Sequence, residues 1–121
     1  MENQDFTPKE LHQMAMKEVG DHLEEVGFEF LSISSDLKKD PQFVCLKEKK
    51  LHFVVVKSYV YPSNPNQYDK DLMEKITTHA EKYNAKVWYA GVGFARAADY
   101  NLPLLRSEPM AINFTGLNEI L

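Results

Sequence analysis

A single cysteine stands in this 121-residue chain. One thiol excludes an internal disulfide, and it excludes an iron–sulfur cluster, which takes four thiolates or two with two histidines. Its neighbours Phe43, Val44 and Leu46 make Cys45 a buried small hydrophobe rather than a reagent. Glycine is scarce, at five residues. Gly91-Val92-Gly93 follows an apolar strand, but Arg96 stands where a dinucleotide fingerprint needs its third glycine, and no acid follows about twenty residues on. A strand end where backbone passes closely is the plainer expectation. Ser32, Ser34 and Ser35 lack the Gly-x-Ser-x-Gly elbow that exposes a nucleophile. The four histidines, His12, His22, His52 and His79, never fall at metal-ligand spacing, so no metal or other cofactor is expected and surface or boundary positions are.

Long apolar runs are missing too, which argues against membrane insertion. The opening MENQDFTPKE lacks the basic stretch and apolar core of a signal peptide, so the cytoplasm is the expected compartment. Apolar residues make up 44% and charged residues 26%, the balance of an ordinary globular domain, and the length fits a single domain over 1–121. The net charge of −4 argues against a strongly basic nucleic-acid footprint over the whole chain. The charge is nevertheless uneven: residues 1–29 carry eight acids and two lysines, whereas residues 30–60 carry six lysines and three acids. That middle segment, with Lys38, Lys39, Lys47, Lys49, Lys50 and Lys57, is where an anionic partner such as nucleic acid would bind, unless it is only a solvated hairpin.

Thr7-Pro8-Lys9-Glu10 combines a capping hydroxyl, a proline at the first helical position and a glutamate at the third. Leu11, Met14/Ala15, Val19, Leu23 and Val26 then recur at helical spacing until Gly27. Phe28 to Ser34 reads as a strand with Phe28, Phe30 and Ser32 on one face. Gln42 to Lys47 and Leu51 to Tyr61 read as two more, joined by a turn at Glu48-Lys49-Lys50. The unbroken run Phe53-Val54-Val55-Val56 marks a central strand covered on both faces. After the proline loop around Pro62 and Pro65, a helix is expected from about Asp69 to Tyr83, its buried stripe being Leu72, Met73, Ile76, Ala80 and Tyr83. Ala85 to Val92 is then a strand parallel to the one before the helix. Met110 to Phe114 reads as a short strand and Gly116 to Leu121 as a last helical turn. Tyr59, Tyr61 and Tyr68 flank the proline loop, either to pack it onto the sheet or to stack bases beside the lysines. The sum is an α+β domain, a mixed sheet with flanking helices and a short C-terminal strand.

This αβββαβ order, with Lys57 closing the central strand and Gly27-Phe28 closing the first helix, resembles the restriction-endonuclease-like fold of the PD-(D/E)xK superfamily. The pattern over residues 8–93 is nearest to small bacterial proteins of the YraN type. The resemblance implies a metal-dependent nuclease site: an acid on the second strand and another two residues before the lysine hold Mg²⁺, while the lysine orients the attacking water. Here Lys57 matches the lysine, but Val55 stands at the acid's position, and neither Gln42 nor Phe43 is a carboxylate. Asp36 and Asp40, in the preceding loop, are the remaining candidates. The resemblance therefore implies a degenerate site and a non-catalytic binding module, partnered by another protein or its own copy, with weak nucleic-acid contact. The alternative is a divergent nuclease that recruits Asp36 or Asp40 with Glu18 or Glu25 from the first helix. Proteins similar to this one are also described as a soluble subunit of a sodium-translocating NADH–quinone reductase, which would imply an accessory role in a larger complex. A nuclease should gather two carboxylates beside Lys57, a binding module should surround Val55 with apolar side chains, and an accessory subunit should expose an apolar patch.

Overall fold

A computed structural model of the chain describes residues 5–121. Helix α1 spans Pro8–Glu25. Thr7 caps it as expected: its hydroxyl accepts from the Glu10 amide at 3.1 Å while the Glu10 carboxylate accepts from the Thr7 amide at 3.0 Å. Gly27, at φ 94°, turns the chain out of the helix, and the Phe28 amide donates back to the Leu23 carbonyl. That left-handed step is the reason a glycine stands there.

Strands β1 (Glu29–Ile33), β2 (Phe43–Lys47) and β3 (Lys50–Val60) form an antiparallel meander. The turn between β2 and β3 contains only Glu48 and Lys49, both at positive φ. This is the primed two-residue turn whose twist suits a hairpin, and Lys50 already belongs to the strand. In β1 the expected alternation breaks at Leu31. The register slips between Phe30 and Ser32, so Ser32 lies opposite Val44 and no longer shares a face with Phe30, while Ile33 lies opposite Phe43. One extra residue in an edge strand does this.

Helix α2 (Lys70–Glu81) crosses over to β4 (Lys86–Arg96), which runs parallel to β3 from His52↔Lys86 to Val60↔Phe94. The helix stops before Tyr83, which is exposed instead of closing the buried stripe. Strand β4 is longer than expected, so Gly91 and Gly93 sit inside it rather than at its end. The close backbone approach at these glycines is real: the proline loop lies across them. The last stretch also departs from expectation. After β5 (Met110–Asn113), residues Asn118–Ile120 form strand β6 rather than a helical turn, and both short strands pair antiparallel with the outer edge of β4. The sheet order is β1-β2-β3-β4-β5, with β6 beside β5 on β4.

Two apolar layers cover the sheet. On one face Leu11, Ala15, Val19 and Leu23 of α1 meet Phe43, Cys45, Val54, Val56, Val92 and Phe94. On the other, Met73, Ile76 and Ala80 of α2 meet Phe53, Val55, Val87 and Tyr89. The run 53–56 thus feeds both layers alternately, as a central strand should. Cys45 is buried in the first layer, and burial raises its thiol pKa to about 11. No helix among the described residues is long and apolar enough to cross a membrane.

Candidate functional site

The residues singled out around Lys57 do converge. As β2 begins, the chain passes through a cis Asp40–Pro41 peptide, and the Asp40 carboxylate reaches the lysine: Lys57 Nζ donates to Asp40 Oδ1 at 3.0 Å and Oδ2 at 3.2 Å. The Leu37 carbonyl accepts a third, longer bond at 3.4 Å. Gln42 holds the arrangement in place. Its backbone amide donates to the Val54 carbonyl, and its side-chain Oε1 accepts from the Val56 amide at 2.8 Å. The carboxamide oxygen thereby serves the Val56 amide as a main-chain carbonyl of a neighbouring strand would. Its Nε2 donates to Asp40 Oδ1 at 2.7 Å and more weakly to the Asp36 carbonyl at 3.4 Å. Asp36 turns its own carboxylate to the Lys38 amide at 2.9 Å.

Val55, the position where a nuclease would carry its second acid, is fully buried in the α2-side layer among Phe53, Met73 and Tyr89. The implied Mg²⁺ does not fit this donor set. Among the described residues Asp40 is the one carboxylate bonded to the lysine, its oxygens already engaged by an ammonium and an amide N–H, and hard cations need several oxygen ligands. Among the described residues no group of three histidines, cysteines or carboxylates could hold a metal ion.

Two histidines contradict the expectation of surface positions. His12, on α1, is only 2% exposed, and its Nε2 is a buried polar atom without a hydrogen-bond partner among the described residues. It lies within electrostatic reach of Lys57, Asp40 and Asp36; burial, then the Lys57 charge, holds its pKa below the usual imidazole value. A helical wheel carries the signal, since His12 precedes Met16, Val19 and Leu23 at buried-stripe spacing. His52 is buried at the other end of the sheet, where its Nδ1 accepts from Trp88 Nε1 at 3.0 Å. Burial lowers its pKa as well, against an opposing contribution from the Lys47 backbone.

Both imidazoles therefore hold a proton less readily in the folded domain than in the unfolded chain. Because the unfolded chain binds these protons more readily, their contribution to stability is complete above the ordinary value of 6.5 and is lost as pH falls below it. Urea unfolding at about pH 7.5 and about pH 5 should show a lower midpoint in acid, with a slope of up to about 1.4 kcal/mol per pH unit for each imidazole. The His12→Leu variant should flatten that dependence. An unchanged slope in the variant would mean that His12 titrates in the fold as it does in the unfolded chain.

The six lysines of the basic segment separate. Lys38 and Lys39 lie in the loop before β2, near Lys57, while Lys47, Lys49 and Lys50 surround the hairpin turn at the far end. Five residues of β2 lie between, about 17 Å at strand spacing. Lys47 Nζ is further engaged by the Val26 carbonyl at 2.7 Å and stands over the Phe28 ring. Neither Glu18 nor Glu25 forms an ion pair with Lys57 among the described residues. The tyrosines pack the proline loop: Tyr89 Oη donates to the Pro65 carbonyl at 2.7 Å, Tyr59 Oη lies 3.4 Å from Tyr89 Oη, and Tyr68 packs against the Tyr89 ring. Tyr61 instead meets Tyr100 edge-on at the rim of a small cavity floored by Gly93, Ala95 and Ala111.

No curated protein matches the chain. A family model described as a domain of unknown function, DUF8840, matches residues 9–120, which takes in all but the first residue of the helices and strands of the described residues, and the chain belongs to that family.

Proposed function

We propose that this domain is a non-catalytic interaction module on a degenerate restriction-endonuclease-like scaffold. The observation that carries the reading is the Asp40–Lys57 ion pair at 3.0 Å, formed where the resemblance would have a lysine beside two metal-binding acids. One acid is neutralised by the lysine itself, and the other position, Val55, belongs to the core. The element order, with an antiparallel β1–β3 meander and β4 parallel to β3, supports the likeness to the PD-(D/E)xK scaffold. The divergent-nuclease alternative draws no support from this geometry. Weak nucleic-acid contact remains part of the proposal, because Lys38, Lys39, Lys49 and Lys50 are free of ion pairs among the described residues. Their division between two ends of the sheet limits how many phosphates one surface can neutralise. A role as an accessory soluble subunit of a larger complex would instead require an exposed apolar patch.

Fluorescence anisotropy of labelled single- and double-stranded DNA and RNA, with and without Mn²⁺, tests the reading. Binding should be weak, at about 10 µM or above, with a salt slope of about two counterions or fewer, and no strand should be cut. The Lys49→Glu/Lys50→Glu variant should lower binding further. Cleavage in Mn²⁺ that vanishes with Lys57→Ala would overturn the non-catalytic reading.

A further inference from the structure

We propose that the cleft at the hairpin end of the sheet, between Lys47, Lys50 and Lys86 and the Trp88 ring, binds single-stranded nucleic acid, the lysines taking a phosphate and Trp88 a base. The inference rests on the weak nucleic-acid contact of the proposed function and gives that contact a place. The cleft lies beyond the C-terminal end of α1, with Phe28 in its wall, and has a volume of about 340 Å³, within the range of small-ligand sites.

Strand register gathers the lysines. Lys47 lies opposite Lys50, and His52 lies opposite Lys86. Alternation puts these side chains on the face of Cys45 and Val54, which α1 covers further along. Lys86 stands outside the basic segment of the sequence, so only the parallel pairing of β4 with β3 brings in this third cation. Like charges set opposite each other are destabilising, and an anion between them relieves that cost. The acids of this end do not fill the cleft. Glu48, in the hairpin turn, is the one that lines it, so three lysines face one carboxylate there. Glu119 approaches Lys86 only to 3.8 Å. Glu29 lies opposite Leu46, on the other face of the sheet, and Glu24 and Glu25 are exposed on the last turn of α1. The buried His52 registers the balance. Burial is the largest cause of its lowered pKa; Lys86, Lys47 and Lys50 each lower it further, and among the described residues no carboxylate opposes them.

The walls select the ligand. An ammonium has three donors; Lys47 Nζ gives one to the Val26 carbonyl, and Lys50 forms no ion pair among the described residues. Lys47 already stands over the Phe28 ring, so Trp88 is the ring left for a base. Its Nε1 donates to His52 Nδ1, which fixes the indole, and the side chain is only half-buried. A partly exposed indole beside cations is how single strands are held, base on ring and backbone on charge. A duplex keeps its bases stacked inside and offers the cleft phosphates alone.

Trp88 is the chain's one tryptophan, so its fluorescence reports on the cleft. Oligothymidylate and oligouridylate should quench it saturably at low salt, and inorganic phosphate should compete only weakly. Three lysine contacts on a single strand give a salt slope of about two, and Lys86→Gln should lower it by about 0.7. By anisotropy, Lys50→Glu/Lys86→Glu should weaken binding at least about tenfold, whereas Lys38→Glu/Lys39→Glu, the same change of charge at the other end of the sheet, should weaken it less than about threefold. Binding that leaves Trp88 unquenched, or that both double variants weaken alike, overturns the cleft and leaves the nucleic-acid contact standing. Inorganic phosphate that binds as tightly as the oligonucleotides overturns the part given to Trp88. No binding of either oligonucleotide removes contact and cleft together, and leaves the non-catalytic reading to the cleavage assay.

Discussion

Gly91→Ala is expected to cost about 3 kcal/mol or more, enough to unfold a marginal domain. A methyl group at this position would overlap the Pro65 carbonyl oxygen and stand 2.7 Å from the Pro65 carbonyl carbon and 2.9 Å from the Tyr89 ring. Backbone, not a flexible side chain, is what it meets, so the proline loop must lift. Lifting it breaks the 2.7 Å bond from Tyr89 Oη to Pro65 and leaves a buried phenol short of its acceptor. Burial already pushes the Tyr89 pKa well above that of a free phenol. Gly93→Ala provides the milder comparison: its nearest neighbour would be the Pro65 ring at 3.1 Å, a contact relieved by a shift of a few tenths of an ångström. Urea denaturation of both variants separates them. A loss below about 1 kcal/mol for Gly91→Ala would mean that the loop yields freely and does not brace the sheet.

Gln42→Leu should be nearly as damaging, at about 2–4 kcal/mol, because one side chain serves three partners. Gln42 is buried. Without it the Val56 amide loses its acceptor and Asp40 loses a donor at 2.7 Å. Gln42→Glu asks a sharper question. The substituted carboxylate could still accept from the Val56 amide, but its other oxygen would stand where Nε2 now donates to Asp40. Two carboxylates in hydrogen-bond contact repel unless a proton or a cation joins them. The variant should be less stable than wild type in chelator and should regain melting temperature in Mn²⁺ or Mg²⁺, with wild type unaffected. Equal metal response in both proteins would show that the native site already gathers two acids, against the proposed degeneracy.

Much of the architecture is legible in the sequence because its signals are local. The capping box at Thr7, the glycine exit at Gly27 and the unbroken run 53–56 each encode their structure within a few residues. The misreadings have physical causes of longer range. A bulge at Leu31 leaves no mark in a five-residue strand, so Ser32 appears to share a face with Phe30. Asn118–Ile120 becomes a strand because β4 is long enough to leave Val87–Tyr89 unpaired on its outer side, which no pattern within the last six residues reveals. The site is legible in half. Lys57 and Asp40 stand out by motif, whereas Gln42 reads only as an absent acid, although it is the residue that fixes Asp40. His12 lies 28 positions from Asp40, and only the packing of α1 onto the sheet brings them within reach.

Arg106 has a bearing on how the chain assembles. It clamps the start of α1, donating to Glu10 Oε2 at 2.6 Å and to the Asp5 carbonyl at 3.0 Å, while the Asp5 amide donates to the Leu104 carbonyl. Contacts that span about a hundred residues close late, since the intervening chain must be ordered before they form. During synthesis, then, the helix with the strongest local signal would emerge first yet wait longest for its anchor, and its apolar stripe would need shelter until the far end of the sheet arrives.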